Sequence, residues 1–169
     1  MQYDAYHERM GTDTVGRYDV TPLFEDPETF AELRVDLTAG VDFEAITHVV
    51  GIDALGFVLG GAVATEQAVG FVPVRKGGKL PYPDAELLRR EFTDYSDESK
   101  ALELHPDRLG EGDRVLVVDE WVETGAQMRA ATALVEEAGA SVAAVTAISI
   151  PENEGTAPLF ERYDVHSIE

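Results

Sequence analysis

Hydrophobic residues along this chain gather into short, largely apolar runs, separated by longer stretches in which they recur at helical spacing. Ile46 to Gly51, Ala68 to Val74, Val115 to Val118 and Val142 to Ile150 have the length and β-branched content of buried strands. Between them, helices are expected over Glu28 to Ala39, Gly56 to Glu66 and Ala126 to Ala138. Asp26-Pro27 opens the first and Gly139 closes the last, while Gly60 and Gly61 weaken the second. Strands alternating with helices predict an α/β fold with a doubly wound, mostly parallel sheet. Pro81 to Lys100 is the least regular part and reads as a mobile excursion carrying a short helix near Ala85 to Phe92. Leu102 to Leu104 then pairs as a strand on its return.

One stretch carries chemistry. In Arg114 to Met128, RVLVVDEWVETGAQM, the apolar run ends in Asp119 and Glu120 and passes through Thr124-Gly125 into a helix. Ligands of open α/β sheets bind at the carboxyl ends of strands, and a helix N-terminus presents unpaired N–H groups and a positive dipole end to an anion. That order of residues predicts a phosphate site. Taken alone, the same residues could be a strand, a turn and a helix with Thr124 as its N-cap.

The segment resembles the signature of the phosphoribosyltransferases, and four further blocks in the same order resemble the adenine phosphoribosyltransferase family. They are Tyr18-Asp19-Val20-Thr21-Pro22-Leu23 with Asp26-Pro27 and Phe30, Val49 to Phe57, Phe71 to Pro81, and Leu102-Glu103-Leu104-His105 with Gly112 to Val115. Together the blocks span roughly residues 14 to 150. The resemblance implies a type I phosphoribosyltransferase fold in a single domain over residues 1–169. A small hood would come from about residues 1–25, with the C-terminal segment a second candidate for it.

The implied reaction is displacement of pyrophosphate from phosphoribosyl pyrophosphate by a purine nitrogen. By resemblance, Asp119 and Glu120 are the catalytic pair and hold the ribose hydroxyls, while Glu123, Thr124, Gly125, Ala126 and Gln127 wrap the 5-phosphate. Arg75, Lys76 and Lys79 resemble the pyrophosphate-side basic residues, Tyr95 the aromatic of a closing loop, and Arg17 and Tyr18 occupy the base side. Mg²⁺ is expected on the diphosphate oxygens, with no direct protein ligand. A homodimer is implied as well, because in the resembled family a basic loop reaches the neighbouring site.

The chain also departs from that pattern. Leu55 stands where the family commonly has an arginine, Glu123 and Gln127 replace a small and a hydroxyl residue, and Gly16-Arg17-Tyr18 replaces an apolar and an aromatic residue. An arginine facing the base donates to a 6-oxo group, whereas the amino group of adenine is itself a donor. The expectation is therefore a divergent, salt-adapted archaeal form of hypoxanthine/guanine type, with adenine still open. The competing reading is a nucleotide-sensing regulator that kept the site and lost the rate.

Composition narrows the remaining classes. The 169 residues, 44% of them hydrophobic, suffice for one sizeable core. No cysteine is present, so disulfides and thiolate metal sites are excluded. His7, His48, His105 and His166 lack ligand spacing, and His48 is expected as a hydrogen-bonded core residue. Trp121 is expected to pack beneath the loop. No GxxxxGK[ST] occurs, and no 18-residue apolar run or leader-like N-terminus is found; a cytoplasmic location is the default. Thirteen basic residues against 33 acidic ones leave a net charge of −20, which argues against nucleic-acid and membrane partners. The only lysines are Lys76, Lys79 and Lys100, and the acids are scattered (Glu25, Glu28, Asp97, Glu136, Glu152 among them), as expected of a surface adapted to high salt. Lowering KCl from molar to about 0.01 M lengthens the Debye length from about 3 to about 30 Å, so the melting temperature should fall. A melting temperature independent of KCl contradicts the adaptation.

Overall fold

Val115 and Val117 point into one hydrophobic core and Leu116 and Val118 into another, because successive strand residues face opposite sides of a sheet. Val50 and Val49 divide in the same way on the neighbouring strand. Such runs are apolar throughout because both faces are covered. The structure, a computed structural model, describes residues 3–12, 18–93 and 98–169.

The chain opens with α1 (Tyr3–His7), a ribbon of β1 (Gly11–Thr12) and β2 (Tyr18–Asp19), α2 (Pro22–Glu25) and α3 (Pro27–Leu37). The α/β alternation follows: β3 (His48–Ile52), α4 (Leu55–Gln67), β4 (Gly70–Lys76), β5 (Leu88–Thr93), β6 (Ser99–Leu104), β7 (Arg114–Val118), α5 (Ala126–Glu137), β8 (Ser141–Ala147), α6 (Ala157–Arg162) and β9 (Asp164–Ser167). The main sheet has seven strands in the order β5-β6-β4-β3-β7-β8-β9. From β4 to β9 neighbouring strands are parallel, and the β5–β6 hairpin adds an antiparallel edge. Leu134, Val135 and Met128 of α5 cover one face, and Leu33 and Leu37 of α3 with Leu59 and Val63 of α4 cover the other. The Asp26 side chain caps α3 by accepting from Thr29 N at 2.8 Å, and Pro27 sits at the first turn, where a missing N–H costs little.

The expected helix near Ala85 to Phe92 does not form. A single 3-10 turn at Asp84–Glu86 is followed by β5, which pairs with β6 from Leu88↔Leu104 to Thr93↔Ser99. Leu88 and Phe92 both reach the core. Their four-residue spacing fits one helix face and one strand face equally, and the β6 partner decides between them. The excursion is thus an ordered hairpin over its described residues. Ala68, expected to start a strand, instead ends α4 in the left-handed region at φ 56°. Arg75 and Lys76 belong to β4, so the basic loop starts two residues later than expected. His48 is half-buried at the start of β3, with Nδ1 3.1 Å from Asp113 and 2.9 Å from Thr47 Oγ1. It lies at the rim of the core. Among the described residues no helix is long and apolar enough to cross a membrane.

Candidate active site

β7 ends by delivering Asp119 to a place nearly closed to water; the residue is 2% exposed. Its backbone N–H donates to Thr146 O at 3.2 Å, its Oδ1 accepts Glu120 N at 3.0 Å, and its Oδ2 accepts Gln127 Nε2 at 2.8 Å. Burial, followed by the neighbouring Glu120 carboxylate, pushes the Asp119 pKa well above the usual carboxylate range. Glu120 Oε2 is buried too, and no described residue donates to it. A buried acceptor without a donor is costly unless a ligand supplies one.

Close backbone approach places the pair. A Cβ on Gly56 would lie 2.8 Å from Val118 O and 3.1 Å from Asp119 Oδ1, so only glycine lets α4 start against the end of β7. A Cβ on Gly51 would meet Gly56 O at 2.4 Å.

The turn after the acids is held from below. Gly125 has φ 73° and is the cap residue of α5, and Thr124 Oγ1 accepts Ala126 N at 3.4 Å. Thr124 is therefore a turn residue and not the N-cap. The N-terminus of α5 opens where its N–H groups have no helical acceptor. Sequence reasoning missed the support for this turn. Asn153 Nδ2 donates to Glu123 O at 2.9 Å, and a Cβ on Gly155 would lie 2.1 Å from Thr124 O. The Asn-x-Gly of Asn153 to Gly155 was the available signal, since it marks a tight turn.

These elements enclose a cavity of about 510 Å³. Of the expected site residues it gathers Tyr18, Lys76, Asp119, Glu120, Glu123, Thr124, Gly125 and Gln127 in its lining. Arg75, Lys79 and Ala126 are not in that lining. Arg75 turns to Asp53, with Nε 2.9 Å from Oδ2, and lies over Phe57 at 5.6 Å; Lys79 is exposed on the loop. Gln127 spends its amide on Asp119. Arg17 and Tyr95 lie outside the described residues. Trp121, expected to pack beneath the loop, packs against the core and 5.5 Å from the Tyr18 ring, and it also lines the cavity. Lys100 and Phe92 complete the wall, brought in by the hairpin that the helical reading had hidden. Leu55 lines it as well, an apolar side chain where the resembled family commonly has an arginine. Among the described residues no three His, Asp or Glu side chains cluster to cage a metal ion.

A model of the phosphoribosyl transferase domain matches residues 29–168. The chain belongs to the phosphoribosyl transferase family. Its α/β architecture, with a mostly parallel seven-stranded sheet, is the type I phosphoribosyltransferase fold. The chain is 42% identical over 158 residues to an adenine phosphoribosyltransferase of Chlorobium chlorochromatii, covering 89% of this chain and 85% of that one. Among solved structures it resembles the adenine phosphoribosyltransferase of Rhodothermus marinus, with a TM-score of 0.87 and 31% identity over 98% of this chain and 96% of that one. The Giardia lamblia enzyme complexed with 9-deazaadenine superposes with a TM-score of 0.83 at 28% identity, covering 99% and 97%.

In this phosphoribosyltransferase the raised pKa of Asp119 carries a sign. The ionised form is disfavoured by folding, so the stability linked to this group is greatest at low pH and is lost as pH rises through the folded pKa. Asparagine mimics the protonated form. Asp119→Asn should therefore leave the melting temperature at pH 7 unchanged or raised while lowering kcat/KM by about two decades or more, the scale for losing one preorganised polar group. A fall in stability that matches the fall in rate would contradict a ligand-directed role.

Proposed function

We propose that the protein transfers a phosphoribosyl group from phosphoribosyl pyrophosphate to a purine base in purine salvage. The observation that carries this reading is the meeting, in one cavity, of the buried Asp119 carboxylate and the half-buried Glu120 beside it, a helix N-terminus and Lys76. The ribose 2- and 3-hydroxyls are donors, and they match the unpartnered Glu120 Oε2 and the second carboxylate beside it. The 5-phosphate takes acceptor positions at the turn of Thr124 to Gln127, against the backbone N–H groups that open α5. Lys76 and Lys100 then face the pyrophosphate. As a purine nitrogen bonds to the anomeric carbon, the bond to the pyrophosphate oxygen breaks and its electron pair leaves with pyrophosphate, which also takes up the proton the purine nitrogen gives up. Charge develops on the ribose ring, and groups fixed beforehand stabilise it without reorganising.

The acid balance bears on Mg²⁺. Among the described residues, Asp19, Asp53, Asp119, Glu120 and Glu123 line the cavity against Lys76 and Lys100. A polyanionic substrate entering so acidic a wall is repelled unless it brings a cation. The carboxylates of the lining fit a magnesium ion brought in with the substrate, and Asp53 and Glu120 are the residues that would hold it. When bound, the ion would neutralise the departing pyrophosphate.

Tyr18 and Trp121 offer aromatic faces to the base. Adenine is the base named for the Chlorobium and Rhodothermus relatives, the Giardia enzyme is complexed with 9-deazaadenine, and adenine is our first reading. The archaeal, hypoxanthine/guanine-type reading rests on Arg17, whose position is not described, and the relatives lend it no support. It remains the second reading because a guanidinium there would favour a 6-oxo group. Adenine, hypoxanthine and guanine should be compared with phosphoribosyl pyrophosphate and Mg²⁺ at molar KCl. The expected result is nucleotide formation with the highest kcat/KM for adenine. A preference for 6-oxopurines by about a decade, abolished in Arg17→Ala, installs the second reading on the scale expected for one misplaced donor. No nucleotide from any base supports the regulator that kept the site and lost the rate.

The proposed assembly is a homodimer, and the N-terminal segment, which places Tyr18 to Val20 on the cavity wall, is the proposed hood. Light scattering at molar KCl should give the mass of two chains. A monomer at assay concentration contradicts the dimer.

A further inference from the structure

Glu103 is a carboxylate with no part in the transfer as described above. It sits on β6, is 1% exposed, and does not line the cavity. A carboxylate withdrawn from water is destabilising unless both oxygens find strong partners, and here both do. Oε1 accepts Arg89 Nη1 from β5 at 2.5 Å, and Oε2 accepts the backbone N–H of Gly78 at 2.8 Å. The second bond crosses from the hairpin to the turn that directly follows Lys76. Gly77 N donates to Ala101 O at 2.9 Å, so consecutive amides of this turn are tied to β6. The glycines suit the clamp: a Cβ on Gly77 would lie 3.0 Å from Arg89 Nη1, and Gly78 has φ 74°. The same hairpin carries Phe92 and Lys100 to the cavity wall.

We propose that Glu103 is a positioning residue for the pyrophosphate-side wall: by clamping Gly78 to the β5–β6 hairpin, it extends the hold of β6 beyond the last β4 pair, Lys76↔Leu102, and keeps the turn after Lys76 from pulling that lysine away from Lys100. The proposal rests on the phosphoribosyl pyrophosphate reading above. A residue that merely fills the core would support every substrate alike. A clamp on this turn acts on the diphosphate and leaves the base alone.

The test uses a graded series in the full chain, Glu103→Gln and Glu103→Leu. Glutamine keeps a neutral acceptor for Gly78, whereas leucine removes it and leaves Arg89, whose side chain is 44% exposed, free to turn to solvent. Three quantities are read: amide hydrogen exchange at Gly78, the Kd of magnesium pyrophosphate by calorimetry, and the KM values for phosphoribosyl pyrophosphate and for the base. The exchange rate, the pyrophosphate Kd and the phosphoribosyl pyrophosphate KM should rise together, about threefold in Glu103→Gln and about tenfold in Glu103→Leu, because a charged acceptor is roughly twice as strong as a neutral one. The KM for the base should stay within about twofold, as for any residue remote from it. Faster Gly78 exchange with an unchanged pyrophosphate Kd, or equal rises in both KM values, overturns the proposal. Should Glu103→Leu not fold, Glu103→Gln decides alone: exchange and pyrophosphate Kd must rise together in it. A wild-type protein that binds no magnesium pyrophosphate removes the functional reading and this proposal with it. Wild-type binding that the variants leave unchanged removes only the proposal.

Discussion

A carboxylate held out of water at the end of a central strand is the constraint to which the rest of the site answers. Asp119 is buried by the approach of α4, which Gly51 and Gly56 bring within van der Waals distance of β7. In that setting a charge is disfavoured, and Glu120 alongside adds repulsion. The fold compensates in part, through Gln127 and the Glu120 amide, and among the described residues none donates to Glu120 Oε2. What the protein leaves unmade, a ligand bearing hydroxyl donors can complete. Local instability and ligand specificity are therefore two consequences of one arrangement.

Gln127 shows how this chain has redistributed the task. Its amide is committed to Asp119, so in the proposed reading backbone N–H groups and Thr124 are left to take the 5-phosphate. That turn is in turn braced by Asn153 and Gly155. Leu55 in the lining offers no charge, and among the described residues the cations of the lining are Lys76 of β4 and Lys100 of β6. In a protein of net charge −20, two ammonium groups set among five carboxylates, counted over the described residues, can discriminate an anion by position more than by total field.

The parallel part of the sheet was legible because its strands are apolar on both faces, and the acid pair followed by Thr-Gly was legible because it interrupts that pattern at a strand end. The hairpin was not. Leu88 and Phe92 fit either period, and only pairing with β6 separates them, a long-range fact that no local spacing carries. That misreading hid Lys100, Phe92 and the Glu103 clamp. Short elements such as α6 and β9 also escaped, being too brief to show a period. Arg75 was misplaced for another reason: composition marks a residue as basic but does not say that Asp53 will claim it.

The central claim is that the turn opening α5 receives a phosphate while the neighbouring carboxylates receive ribose hydroxyls. Isotope-labelled protein titrated with ribose 5-phosphate tests it most directly through the backbone amide shifts. The account predicts saturable changes at Thr124 to Gln127 together with Asp119 to Trp121, and changes at Thr124 to Gln127 alone when inorganic phosphate replaces the sugar phosphate. Shifts that avoid these residues, or identical patterns for the two ligands, would contradict it.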